Sequence, residues 1–186
     1  MAATLTTLST LTRSQQYQFA ASKAQTGPGS PITVAGSRQI AQASYSLGSG
    51  AGAANQVMIG TLSIAGGATT NLLLNASTQL HCIDGTATPT LTSIKFFCFE
   101  LLSATQSDQD GNAGSAATSI TLGAAGSNPW ITGPWGATDT YTLINGAKMH
   151  HEDEAGLAVA ASKVIAVVNN DGAVTAKVMV TIFGVA

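Results

Sequence analysis

Between Val174 and Phe183 the chain alternates without a break. Val174, Ala176, Val178, Val180 and Ile182 fall on one side, and Thr175, Lys177, Met179, Thr181 and Phe183 on the other. A period of two puts one set on a buried sheet face, so the segment is a strand. The run just before it, 163–168, is β-branched and almost continuously apolar, and Asn169-Asn170-Asp171-Gly172 links the two with residues that tolerate positive φ. The pair reads as a β-hairpin with one or both faces covered.

The same pattern recurs upstream. Segments 32–34 and 39–47 are strands, and 56–64 alternates Val57, Ile59, Thr61 and Ser63 with Met58, Gly60, Leu62 and Ile64. Gly66-Gly67 then turns the chain into 69–75, a second expected hairpin. After a short strand at 80–83, the richest apolar run is 93–102, which is short, aromatic and bounded by turn formers, as a central strand is and a helix is not. Residues 103–118 read as a polar loop, and 119–122, 138–144, 148–151 and 157–159 as four more strands. Eight to ten short strands joined by Gly-containing links, with no central helix and no repeat of fixed period, predict an all-β fold. The expected architecture is a single β-sandwich of jelly-roll type over residues 31–186.

Residues 1–30 stand apart. Leu5, Leu8 and Leu11 are spaced by three, Tyr17 and Phe19 follow Arg13, and Gly27-Pro28-Gly29-Ser30-Pro31 breaks the segment off. The spacing fits a short helix or an extended arm, and the many Thr residues weigh against the helix. An N-terminal arm is expected, laid over a neighbouring subunit or folded back on its own domain, with these five side chains as its contacts.

A chain of 186 residues supports one sizeable core. Only 9% of it is charged, against about 25% in an average soluble protein. A freely diffusing protein keeps clear of its neighbours with a charged surface, so one without it is shielded by partners or is a neutral, Ser/Thr-rich adhesive protein. The seven basic residues are scattered and form no patch for phosphates, which argues against nucleic-acid binding. Cys82 and Cys98 are too few for a disulfide scaffold and read as two separate thiols, although adjacent strands would let them pair. The first residues lack the charged and apolar regions of a signal peptide, and no run approaches the roughly 20 apolar residues of a membrane span. Synthesis and assembly in a cytoplasm, with no membrane partner, are expected.

Candidate chemistry is sparse. His150-His151-Glu152-Asp153-Glu154 is the one dense cluster of ligand-type residues. On a strand the two imidazoles point to opposite faces, so a metal would also need Glu152 or the distant His81; a solvated acidic turn is the simpler reading. Asp108-Gln109-Asp110-Gly111-Asn112 resembles a calcium loop but lacks the third acidic position and the distal Glu, leaving an Asx-rich surface loop. No serine sits in a nucleophile motif near a His, and the Gly-rich stretches precede no amphipathic helix for phosphate. No enzymatic activity, metal or cofactor is expected. Both tryptophans fall in Asn128-Pro129-Trp130-Ile131-Thr132-Gly133-Pro134-Trp135-Gly136. Rigid aromatic loops suit protein interfaces and sugar platforms, and equally a ring tucked over the end of a sandwich.

Thr140-Tyr141-Thr142-Leu143-Ile144, Ala155-Gly156-Leu157-Ala158-Val159, Val164 to Asn169 and Val178 to Gly184 together resemble the closing strands of jelly-roll virion proteins of tailed bacteriophages. The resemblance spans roughly residues 55–184. It implies a structural protein of the virion, a head decoration or cement protein that stabilises the capsid lattice. Its partners would be the major capsid protein and copies of itself, with Leu5, Leu8, Leu11, Tyr17, Phe19, Trp130 and Trp135 at interfaces. The alternative is a receptor- or carbohydrate-binding sandwich, a fibre head, using Trp130 and Trp135.

Overall fold

The computed structural model describes residues 10–23, 32–47, 49–74, 79–82, 90–108, 110–123, 129–130, 136, 138–160 and 163–186, the first two stretches as strand backbone only. Strands β1 (Thr10–Lys23), β2 (Ile32–Leu47) and β3 (Ala53–Ala54) make one small sheet. The rest of the described chain builds two sheets from β4 (Gln56–Ile64), β5 (Thr69–Leu73), β6 (His81–Cys82), β7 (Ser93–Leu101), β8 (Ser119–Gly123), β9 (Thr140–Ile144), β10 (Lys148–Ala158), β11 (Val164–Asn169) and β12 (Ala176–Val185). Their orders are β10-β7-β12-β4-β6 and β5-β11-β8-β9, all pairs antiparallel. With no helix among the described residues, the fold is all-β, and the two sheets pack face to face as a β-sandwich.

Four of the pairings are nested one inside another: β8 with β9, β7 with β10, β5 with β11 and β4 with β12. The first and third lie in the four-stranded sheet, the second and fourth in the five-stranded one. These eight strands thus pair symmetrically about the link between β8 and β9.

Alternation fills the space between the sheets. Met58, Leu62 and Ile64 of β4, Phe97, Phe99 and Leu101 of β7 and Val178, Val180 and Ile182 of β12 meet Leu72, Ile120, Leu122, Ile165 and Val167 from the other side. Each large apolar side chain buried this way contributes about 1.5–3 kcal/mol. Phe97 is the aromatic hub, with the rings of Phe99, Trp130 and His151 at centroid distances of 5.9, 5.7 and 5.7 Å. The run 93–102 is internal to its sheet as expected, flanked by β10 and β12.

Neither expected hairpin exists. β11 and β12 belong to opposite sheets, as do β4 and β5. What looks like hairpin turns, at 65–68 and 170–175, are two corners that carry the chain across the core, and they lie against each other. Asn169, only 1% exposed, ties them together. Its Nδ2 donates to the carbonyls of Ile64 (3.0 Å), Ala65 (3.2 Å) and Val174 (2.7 Å), and its Oδ1 accepts from the Asp171 N–H (3.0 Å). The Gly67 N–H donates to the Asp171 carbonyl at 2.7 Å. A Cβ on Gly66 would stand 2.7 Å from the Gly172 carbonyl, so only glycine lets the corners approach this closely.

β1 and β2 pair along their whole length, from Thr10 with Ser46 to Lys23 with Ile32, with one irregularity at Gln15/Gln16. The leucine-spaced segment is therefore extended, not helical, from Thr10 on. The boundary expected at residue 30 lies outside the described residues, and Ile32–Leu47 pairs with the segment Thr10–Lys23 before it. Ala53 and Ala54 pair in parallel with Ser46 and Leu47, linking the ribbon to the sandwich.

Candidate interaction surfaces

Trp130 is a core residue, 3% exposed. Its N–H donates to the Val164 carbonyl, its Nε1 donates to the Ala158 carbonyl at 3.0 Å, and its ring meets Phe97 edge-on. That satisfied indole N–H is what permits burial. The ring tucked into the end of the sandwich is thus the arrangement found for Trp130, which takes it off the surface of the chain. Trp135, Leu5 and Leu8 lie outside the described residues, and Leu11, Tyr17 and Phe19 are placed on β1 as backbone positions.

The His150–Glu154 segment is no turn. It is part of one continuous strand, β10, where two strands split by an acidic turn were expected. His150 lies opposite Cys98 and His151 opposite Phe97. The imidazoles point to opposite faces, as strand geometry requires: His151 stacks on Phe97 inside, and His150 sits 6.3 Å from the Phe96 ring outside. Pairing with β7 is interrupted between Glu152 and Leu157 by a bulge. The Asp153 carboxylate accepts from the N–H groups of Ala155 and Gly156, and the carbonyls of Glu154 and Ala155 turn inward onto Lys95 Nζ at 3.0 and 2.6 Å. Lys95 is 2% exposed. Gly156 has φ +89°, and a Cβ there would lie 2.9 Å from the lysine side chain. The bulge closes over the buried Lys95 side chain, and a lysine near the start of the apolar run of β7 was its only trace in the sequence.

Asp108 organises the loop that resembles a calcium site. Its Oδ1 accepts from the N–H groups of Asp110 and Asn112, and its Oδ2 accepts from Asn112 Nδ2. Desolvation pushes this carboxyl up, but the hydrogen bonds from Asn112 and Asp110 outweigh it and hold the carboxyl below its ordinary 3.8. The carboxylate thus spends its acceptor capacity on its own loop, as an Asx-rich surface loop does. Among the described residues no group of three or more His, Cys, Asp and Glu is placed to hold a metal ion. Cys98 and Cys82 sit three strands apart in the order β7-β12-β4-β6. At about 4.8 Å per strand that is roughly 14 Å, beyond disulfide reach.

The two outward faces differ sharply. On the five-stranded sheet, register places Lys148, His150 and Glu152 beside Cys98 and Glu100, and these beside Lys177, Met179 and Thr181. One end of that face is covered. Phe96, Phe183 and Val57 form an apolar cluster under Ala54, and the segment is fastened by the Gly52 N–H on the Glu154 carbonyl and the Asn55 N–H on the Gly184 carbonyl. On the four-stranded sheet the outward positions are Thr69, Asn71 and Leu73 on β5, Val164, Ala166 and Val168 on β11, Ser119, Thr121 and Gly123 on β8, and Thr140, Thr142 and Ile144 on β9. None of them is charged. Nothing in the local sequence separates this face from the other, because the sheet order alone brings its positions together.

Compared with protein-family models, curated proteins and solved structures, the chain matches none.

Proposed function

We propose that this chain is a non-enzymatic structural protein of a phage particle, fastened to a head lattice as a decoration or cement protein. The reading rests on one observation above all: a whole outward sheet face built of Thr, Ser, Asn, Gly, Ala and aliphatic side chains without a charge. Such a face gains from being covered, because no ionised group has to be desolvated when another protein lies on it. The strand order adds support for a jelly-roll reading of the sandwich. β4-β12-β7-β10 lies opposite β5-β11-β8-β9, the product of nested antiparallel pairs wound into two sheets. Jelly rolls serve in viral shells and in lectins alike, so the fold does not choose between them.

The mechanism is mechanical. The sandwich supplies a rigid body and the β1–β2 ribbon a long contact arm, while many copies on a symmetric shell multiply a modest affinity per copy. The partners are the major capsid protein and copies of this chain, and the location is the virion. The test is to add the purified chain to expanded phage heads that lack it. Saturable co-sedimentation and a raised thermal midpoint of the heads are expected. No addition, together with saturable glycan binding by the chain, would transfer it to the receptor- or carbohydrate-binding class.

A further inference from the structure

Among the described residues the two sheets leave four edges, and an edge strand invites pairing unless it is blocked. Those of the five-stranded sheet are blocked. β10 carries Lys148, two His and three acidic residues and is bulged after Glu152, and β6 is two residues long. Those of the four-stranded sheet, β5 and β9, carry no charge, no Pro and no bulge. Between these two, β9 holds both exposed large apolar side chains among the described residues, Tyr141 at 40% and Ile144 at 67%.

We infer that β9 is a self-recognition edge: it pairs antiparallel with β9 of a second copy about a two-fold axis through Thr142, so that two four-stranded sheets continue as one. The occupant follows from the side chains. In that register Tyr141 lies opposite Leu143, Thr140 opposite Ile144, and Thr142 opposite itself. Tyr141 and Leu143 share the inward side and Thr140, Thr142 and Ile144 the outward one, so aromatic meets aliphatic and β-branched meets β-branched. No like charges are brought together, since β9 has none, and Asp139 before it falls opposite Asn145. A two-fold axis needs only one surface, used twice. Five residues make a short ladder, so a single pair is weak and gains strength where many copies are held together. In that sense the inference deepens the shell-protein reading and rests on it.

Sedimentation of the full chain over a concentration series, up to about 1 mM, should show a monomer–dimer equilibrium. Thr142→Lys, at an exposed outward position, should weaken it about tenfold or more with an unchanged circular dichroism spectrum, while Ser63→Lys on the other sheet leaves it intact. Register is read by trapping. Thr142→Cys should form covalent dimers under mild oxidation and Thr140→Cys should not, whereas Thr140→Cys combined with Ile144→Cys should. A strict monomer, an unaltered equilibrium in Thr142→Lys, equal trapping at 140 and 142, or open polymers from β9 meeting β5 would each overturn the inference. A chain that adds to heads but never self-associates sinks the β9 edge alone; one that dimerises through β9 but never adds to heads sinks the shell reading alone.

Discussion

The two outward faces of the sandwich are made from the same alternating pattern and have opposite fates. The face of the five-stranded sheet mixes charge with an apolar cluster that the chain covers itself, and its edges are closed by a bulge and a two-residue strand. The face of the four-stranded sheet is uncharged, and among the described residues no strand pairs with the outer side of β5 or β9. The difference teaches that the sandwich places charges on the outward face it partly covers itself and leaves them off the face proposed to meet a partner.

Removing the cover's own anchor should have the largest effect. Phe183→Ala takes away a ring packed 5.2 Å from Phe96 and opens a cavity under Ala54. A loss of about 3 kcal/mol in urea unfolding is expected, against under about 0.5 kcal/mol for Ile144→Ala on the open face. Equal losses would abolish the distinction between the faces. Next comes the joint between the sheets: Asn169→Ala strips three carbonyls of their donor and should cost about 2–3 kcal/mol by the same measurement.

Gly156→Ala tests the closed edge. It forces a side chain to φ +89° and against Lys95, so a cost of about 1–2 kcal/mol is expected. Faster hydrogen exchange should be confined to β10. The smallest effect belongs to Asp171. The N–H groups of Ala173 and Val174 hold its carboxyl below 3.8, helped by Thr118 and opposed by desolvation. A depressed carboxyl contributes stability above its unfolded pKa and loses it as pH falls through the folded value. Asp171→Asn should therefore be less stable than the wild type at neutral pH, with the gap closing below about pH 4 in thermal melts.

Periodicity made most strands legible, including the internal strand of residues 93–102 and the long β12, because alternation fixes which side of a strand is buried. It does not name the strand alongside. Asn169 to Gly172 has the chemistry of a hairpin turn and serves as a corner, and only the burial of Asn169 under three carbonyls tells the two apart. In the same way, acids followed by glycine read as a turn at 152–156, while the true feature is a bulge around Lys95, a residue more than fifty positions away. Trp130 in its Pro- and Gly-bounded segment fits a surface platform and a tucked ring equally, and the Ala158 carbonyl that accepts from its indole N–H decides for the second. The β9 edge was not legible at all, since being last in a sheet is a property of the order of strands and of no local residue.

Nesting also sets a timetable. β4 leaves the ribosome early and pairs with β12, so Gln56 waits for Gly184 while every other sandwich strand is made. Until Ala176–Val185 arrives, the five-stranded sheet has a gap between β7 and β4, and its phenylalanines face water. Long-range pairings of this kind fold slowly, and half-built sheets of this kind stick to one another. Closure of the five-stranded sheet therefore waits for the synthesis of β12, a delay written in its topology.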